Sequence, residues 1–112
     1  MEMTTEKVGD VTVVLLPGDN LDASNAPEFK TDIQSVLEAN AKVVFDLGQL
    51  GFVDSAGLGA ILSCLRKLNA EGGDLKLFGM QKPVRALFEL VRMHRIFDIF
   101  NTRDEAVRSF GG

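Results

Sequence analysis

Two short apolar runs bracket the most regular helix in the chain, and this bracket restricts the fold more than any other feature. Lys42-Val43-Val44-Phe45-Asp46-Leu47 is too short for a helix and reads as a central strand. From Ser55 onward, Leu58, Ile61, Leu62, Leu65 and Leu68 recur at the spacing of one helical face, and Gly72-Gly73 ends the pattern. Leu75 to Phe78 reads as the next strand. A strand, a helix and a second strand in this order form a crossover unit. Its two strands run parallel, its connection is right-handed, and its helix covers one face of the sheet.

The flanking segments extend the alternation. Val11 to Leu16 is rich in β-branched residues and stops at Pro17-Gly18, so it reads as a strand. Gly9-Asp10 before it reads as a hairpin turn, which makes Thr4 to Val8 an antiparallel partner. Ser24 or Asn25 suits a helix cap, Pro27 suits the first turn, and Phe29, Ile33, Val36 and Leu37 share one face up to Asn40. Gly48 to Val53 reads as a connecting loop. Lys82-Pro83 opens a helix with Val84, Leu87, Phe88 and Val91 on one face. Ile96 to Phe100 reads as a short last strand, and Thr102 caps a final helix carrying Ala106, Val107 and Phe110. The expected architecture is α/β, with a mixed sheet of about four to five strands and about four helices.

Composition narrows the function classes. At 112 residues, with 46% hydrophobic and 25% charged, residues 1–112 suit one soluble domain with one core. No apolar run approaches the length of a membrane span. Met1-Glu2-Met3-Thr4-Thr5-Glu6 lacks the basic start and apolar centre of a signal peptide, so a cytoplasmic protein is expected. The single Cys64 excludes an internal disulfide or a multi-cysteine zinc site, and a half-buried inert thiol is expected. The net charge of -4, the scattered basic residues and the absence of Trp and Tyr argue against nucleic-acid binding.

Enzyme readings find little support. There is no catalytic triad, no metal-ligating cluster and no phosphate-loop or dinucleotide glycine pattern, so no cofactor is expected. Asp46 ends a strand, as a receiver phospho-acceptor would. The acidic pair and late-loop lysine of a receiver are missing, because Lys76 lies within a strand and Lys82 follows an unsuitable loop. His94, between Arg92 and Arg95, reads as a surface residue.

The segment Asp54-Ser55-Ala56-Gly57-Leu58-Gly59 remains, at the junction of the loop and the periodic helix. N–H groups at a helix start lack intrahelical partners, and the helix dipole favours negative charge there. A serine so placed caps the helix, binds an anion or carries a phosphate. Asp54 reads as a loop carboxylate with local hydrogen bonds or as a group orienting a reaction at Ser55, and Asp22 as a turn residue or a partner contact.

Over nearly its whole length the chain resembles a STAS domain, the fold of anti-sigma factor antagonists and of the cytoplasmic tails of sulfate transporters. The resemblance rests on Gly18 to Asp22, Val43 to Leu47, Phe52 to Gly59, Gly72 to Leu75, and Pro83 to Phe88 with Ile96-Phe97. It implies an anti-sigma factor antagonist that is not itself an enzyme. Ser55 is then phosphorylated by an anti-sigma factor that is also a serine kinase, and a PP2C-like phosphatase removes the phosphate. The unphosphorylated form binds the anti-sigma factor and frees a sigma factor. Asp22, Asp54, Ala56, Gly57, Leu58 and Ala60 are then expected at the partner surface, in a monomer or weak dimer. Ala56 stands where many members carry a second Ser or Thr, which leaves Ser55 as the one acceptor in the motif. The same resemblance also admits a STAS scaffold that is never phosphorylated, or a nucleotide- or lipid-binding module.

Overall fold

The structure, a computed structural model, describes residues 1–111. Strands β1 (Thr4–Val8) and β2 (Val11–Leu15) form the expected hairpin, with Val8 opposite Val11 across Gly9-Asp10 and a positive φ of 64° at Gly9. The strand β3 (Asn20–Leu21) follows, then helices α1 (Ala26–Asp32) and α2 (Gln34–Ala39). Next come β4 (Lys42–Asp46), β5 (Phe52–Val53), α3 (Ser55–Ala70) and β6 (Asp74–Phe78). The helix α4 (Lys82–Leu90), a 3-10 turn over Met93–Arg95, β7 (Asp98–Phe100) and α5 (Arg103–Arg108) complete the chain.

The main sheet has the order β1-β2-β4-β6-β7, antiparallel at the hairpin and parallel elsewhere. Side chains alternate across a strand, so each strand feeds two faces. Val14, Val43, Phe45, Leu75 and Leu77 point into the larger core, where Phe29, Ile33 and Leu37 of α1, Ile33 and α2 meet Ile61, Leu65 and Leu68 of α3 and Phe88 of α4. Val11, Val13, Val44 and Phe78 point the other way, and Ala106 of α5 covers them with Phe100, Val107 and Phe110 half-buried around it. Four helices thus cover one face, and one short helix covers the other.

Three local expectations need correction. The helix read from Pro27 to Asn40 is interrupted at Ile33, although its apolar face is as expected. The segment read as a plain loop from Gly48 to Val53 ends in β5, which pairs in parallel with β3 to make a separate two-stranded sheet. Two residues are too few to show a period, so nothing in the sequence marked this pair. Val91, read on the inner face of α4, caps the helix and is 45% exposed. Asn40 does terminate its helix: its amide donates to the Val36 carbonyl, while its oxygen accepts from the buried Thr12 hydroxyl at 2.7 Å.

Candidate functional site

The small β3–β5 sheet sets the position of the motif. Leu21 is paired with Val53, so the chain leaves both strands side by side, at Asp22 and at Asp54. The Asp54 N–H then donates to the Leu21 carbonyl. One oxygen of the Asp54 carboxylate accepts from the Gly57 N–H at 2.9 Å and caps α3. The other accepts from the Ala23 N–H at 3.1 Å. Asp54 therefore ties the start of α3 to the loop that enters α1.

The cap assignment differs from the expectation for Ser55. Asp54 occupies the N-cap with extended backbone, and Ser55 is the first helical residue. Its side chain is exposed, and its hydroxyl has no hydrogen-bond partner among the described residues. The N–H groups of Ser55 and Ala56 belong to the first turn, where the helix supplies no acceptor. Of the readings open for this serine, the plain side-chain cap is the one that the structure removes.

Asp22 braces its own turn. Its carboxylate accepts from the Ser24 N–H and hydroxyl at 2.9 and 2.5 Å and from the Asn20 amide at 2.9 Å. These donors, the Ser24 hydroxyl first, hold its pKa below the usual carboxylate value. Asn25 completes the turn, accepting from the Asp22 N–H and donating to the Asn20 carbonyl, and so gives α1 no side-chain cap.

The expected partner surface divides in two. Gly57 and Leu58 are buried and face the protein's own core. A Cβ on Gly57 would lie 2.8 Å from the Leu21 carbonyl carbon and nearer still to its oxygen, so this glycine admits β3 rather than another protein. Leu58 is 5% exposed because the first turn of α3 packs against the larger core. Ala60 is also buried, but it forms part of the floor of an open groove of about 640 Å³ between α1 and α3. Ser55, Ala56 and Gly59 line the groove from α3, and Ala26, Pro27 and Lys30 line it from α1. Gly59 is exposed, and a Cβ there would meet nothing within 4 Å.

Sequence reading missed the α1 side of this groove. Lys30 lies off the apolar face of its helix and carries no motif, so only the packing of α1 on α3 brings it to the groove that Ser55 also lines. The remaining candidates lie away from this groove. Cys64 is 2% exposed rather than half-buried, and burial pushes its thiol up to about 12. His94 is exposed. Lys76 is buried in β6, where its ammonium donates to the Ser109 carbonyl and lies 4.7 Å from the centre of the Phe110 ring.

The STAS domain family model matches residues 2–106, covering this groove and both sheets. The chain belongs to the STAS domain family. BtrV of Bordetella bronchiseptica, provisionally named an anti-sigma factor antagonist, is 29% identical over 111 residues, covering 98% of this chain and 95% of its own. The anti-sigma-B factor antagonist of Listeria monocytogenes is 30% identical over 87 residues, covering 76% of this chain and 75% of that protein. The crystal structure of TM1081 from Thermotoga maritima, also provisionally described as an anti-sigma factor antagonist, superposes with a TM-score of 0.87. It is 27% identical over 96% of this chain and 92% of that one. Among the described residues no helix is long and apolar enough to cross a membrane.

Proposed function

We propose that this STAS domain, spanning residues 1–112, is a cytoplasmic anti-sigma factor antagonist that acts by binding and catalyses nothing itself. In this reading its unmodified form binds an anti-sigma factor that is also a serine kinase. That kinase phosphorylates Ser55 and thereby ends the interaction, and a PP2C-like phosphatase restores it. The observation that carries the reading is the Ser55 hydroxyl, exposed and unpartnered at the mouth of a groove floored by small residues. A kinase needs such a hydroxyl within reach of its own active site. The relatives named as antagonists of anti-sigma factors support the choice of partner.

The electrostatics suit a switch that leaves the fold alone. A phosphate on Ser55 adds roughly -1.5 to -2 charges at neutral pH. The unsatisfied N–H groups of the first turn and the helix dipole accommodate that charge within this chain. A partner packed over Ala56 and Gly59 meets instead a new, strongly hydrated group. Asp22 and Asp54 serve the site by holding the β3–α1 loop and the start of α3 in one arrangement.

The test is calorimetric titration of the purified anti-sigma factor kinase from the same cells with the parent chain, Ser55→Ala and Ser55→Asp. Ser55→Ala should bind like the parent and resist phosphorylation by Mg-ATP, as read by phosphopeptide mass spectrometry. Ser55→Asp should bind more weakly, with a hundredfold loss corresponding to ~2.7 kcal/mol. Equal binding by the two variants would remove the role of charge. Absence of phosphate at Ser55, with the kinase active on another substrate, would leave the unphosphorylated scaffold.

A further inference from the structure

Four of the six lysines have acceptors: Lys7 uses Asn40, Lys42 uses Asp10, Lys67 uses Gln34, and Lys76 uses the Ser109 carbonyl. Lys30 and Lys82 have none among the described residues, and Lys30 is the one that lines the Ser55 groove. The acids on its own helix are committed elsewhere, since Glu28 and Asp32 face the Met1 ammonium at 3.1 and 2.7 Å. Asp22 and Asp54, in the β3–α1 loop and at the start of α3, already accept from donors of that loop and of the helix start. A cation without a counter-ion thus stands in the same groove as a hydroxyl without a partner.

We propose that Lys30 is the counter-ion of a phosphate carried by Ser55, and that the resulting pair lies across the groove over Ala56 and Gly59. The inference rests on Ser55 accepting a phosphate, as in the function proposed above. Two distances in sequence make it geometrically feasible. The Asp54–Ala23 bond holds the starts of α1 and α3 together, Lys30 lies one turn beyond Ala26, and Gly59 lies one turn beyond Ser55. Four residues rise about 6 Å along the axis, which a flexible lysine stem spans. The phosphate then does more than add charge. Held by Lys30, it occupies the space that the missing side chain of Gly59 leaves open, and the partner loses the floor of its groove.

The test installs phosphoserine at position 55 during translation and follows its phosphorus NMR signal with pH at low salt. The comparison is between the parent, Lys30→Gln, Lys30→Arg and Lys82→Gln. The opposing carboxylates of Asp22 and Asp54 are the same in all four proteins, and the Cys64 thiol stays neutral throughout the titration. The phosphate of the parent should complete its ionisation at least about half a pH unit lower than that of Lys30→Gln. Lys30→Arg and Lys82→Gln should follow the parent, and the difference should shrink in ~0.5 M salt. Titration of Lys30→Gln at the pH of the parent, with both folded by circular dichroism, would overturn the pairing. The titration uses an installed phosphate, so it reads the pair whether or not a kinase for Ser55 exists. A failure here and a failure of the proposed function are therefore separate results.

Discussion

Gly57 and Gly59 stand two residues apart in one helix and answer opposite demands. Gly57 has the Leu21 backbone against it, and Gly59 has open space. Gly57→Ala should therefore lower stability by about 2 kcal/mol or more, the cost of forcing a methyl group into a filled contact. Gly59→Ala should raise it by roughly 0.5–1 kcal/mol, because alanine is the better helix former and nothing obstructs it. Urea unfolding of both variants checks the pair, and a loss of stability at Gly59 would show that this glycine has an internal role after all. Asp22 yields a prediction in pH. Its carboxyl has a lower pKa folded than unfolded, since the folded turn donates three hydrogen bonds to the charged form. The stability it contributes is fully present above the unfolded value of about 4 and fades as pH falls through the folded value. Asp22→Asn should flatten the decline in urea midpoint between pH 6 and about pH 3, whereas Asp10, lowered by the Lys42 ammonium, keeps its share.

Among the elements, α3 and α5 show how differently helices of one chain are held. The 16 residues of α3 carry an inner face from Leu58 to Leu68 that is buried along its whole length. The six residues of α5 are too few to be stable alone, and they rely on Ala106 against the sheet and on a capping box. Thr102 accepts from the Glu105 N–H, and the Glu105 carboxylate accepts from the Thr102 N–H. Thr102→Ala should cost about 1 kcal/mol. Hydrogen exchange should then speed up in α5 and leave α3 unchanged, because α5 packs on the face of the sheet opposite to α3. Uniform acceleration in both helices would mean that α5 unfolds only with the rest of the chain. The long elements were legible because several repeats of the period survive in each. The pair β3–β5 was not, since its two-residue strands are specified by Leu21 and Val53 meeting in space rather than by any pattern along the chain.

For the whole molecule, the site lies beyond the ends of the β3–β5 pair, and Ser55 is exposed and takes no part in the core that α1 and α3 build on the main sheet. A charge at Ser55 should therefore leave the fold intact. Ser55→Asp should keep the unfolding midpoint of the parent, and amide shifts in a nitrogen–proton correlation spectrum should change only in the first turn of α3 and the β3–α1 loop. Changes spread through β4 and β6 would show instead that the switch works by rearranging the core. The sequence alone determined the order of the main elements, the crossovers, the N-terminal hairpin and the family, because each is written in periodicity, turn residues or a contiguous motif. It also singled out Ser55. Only the tertiary structure decided which residues of that motif face outward. Gly57 and Leu58 turn inward, Asp54 rather than Ser55 caps the helix, and Lys30 arrives from another element to complete the groove. The reason is physical: a period names a face of a helix, but the neighbour that covers that face, or leaves it open, is chosen by packing between segments distant in the chain.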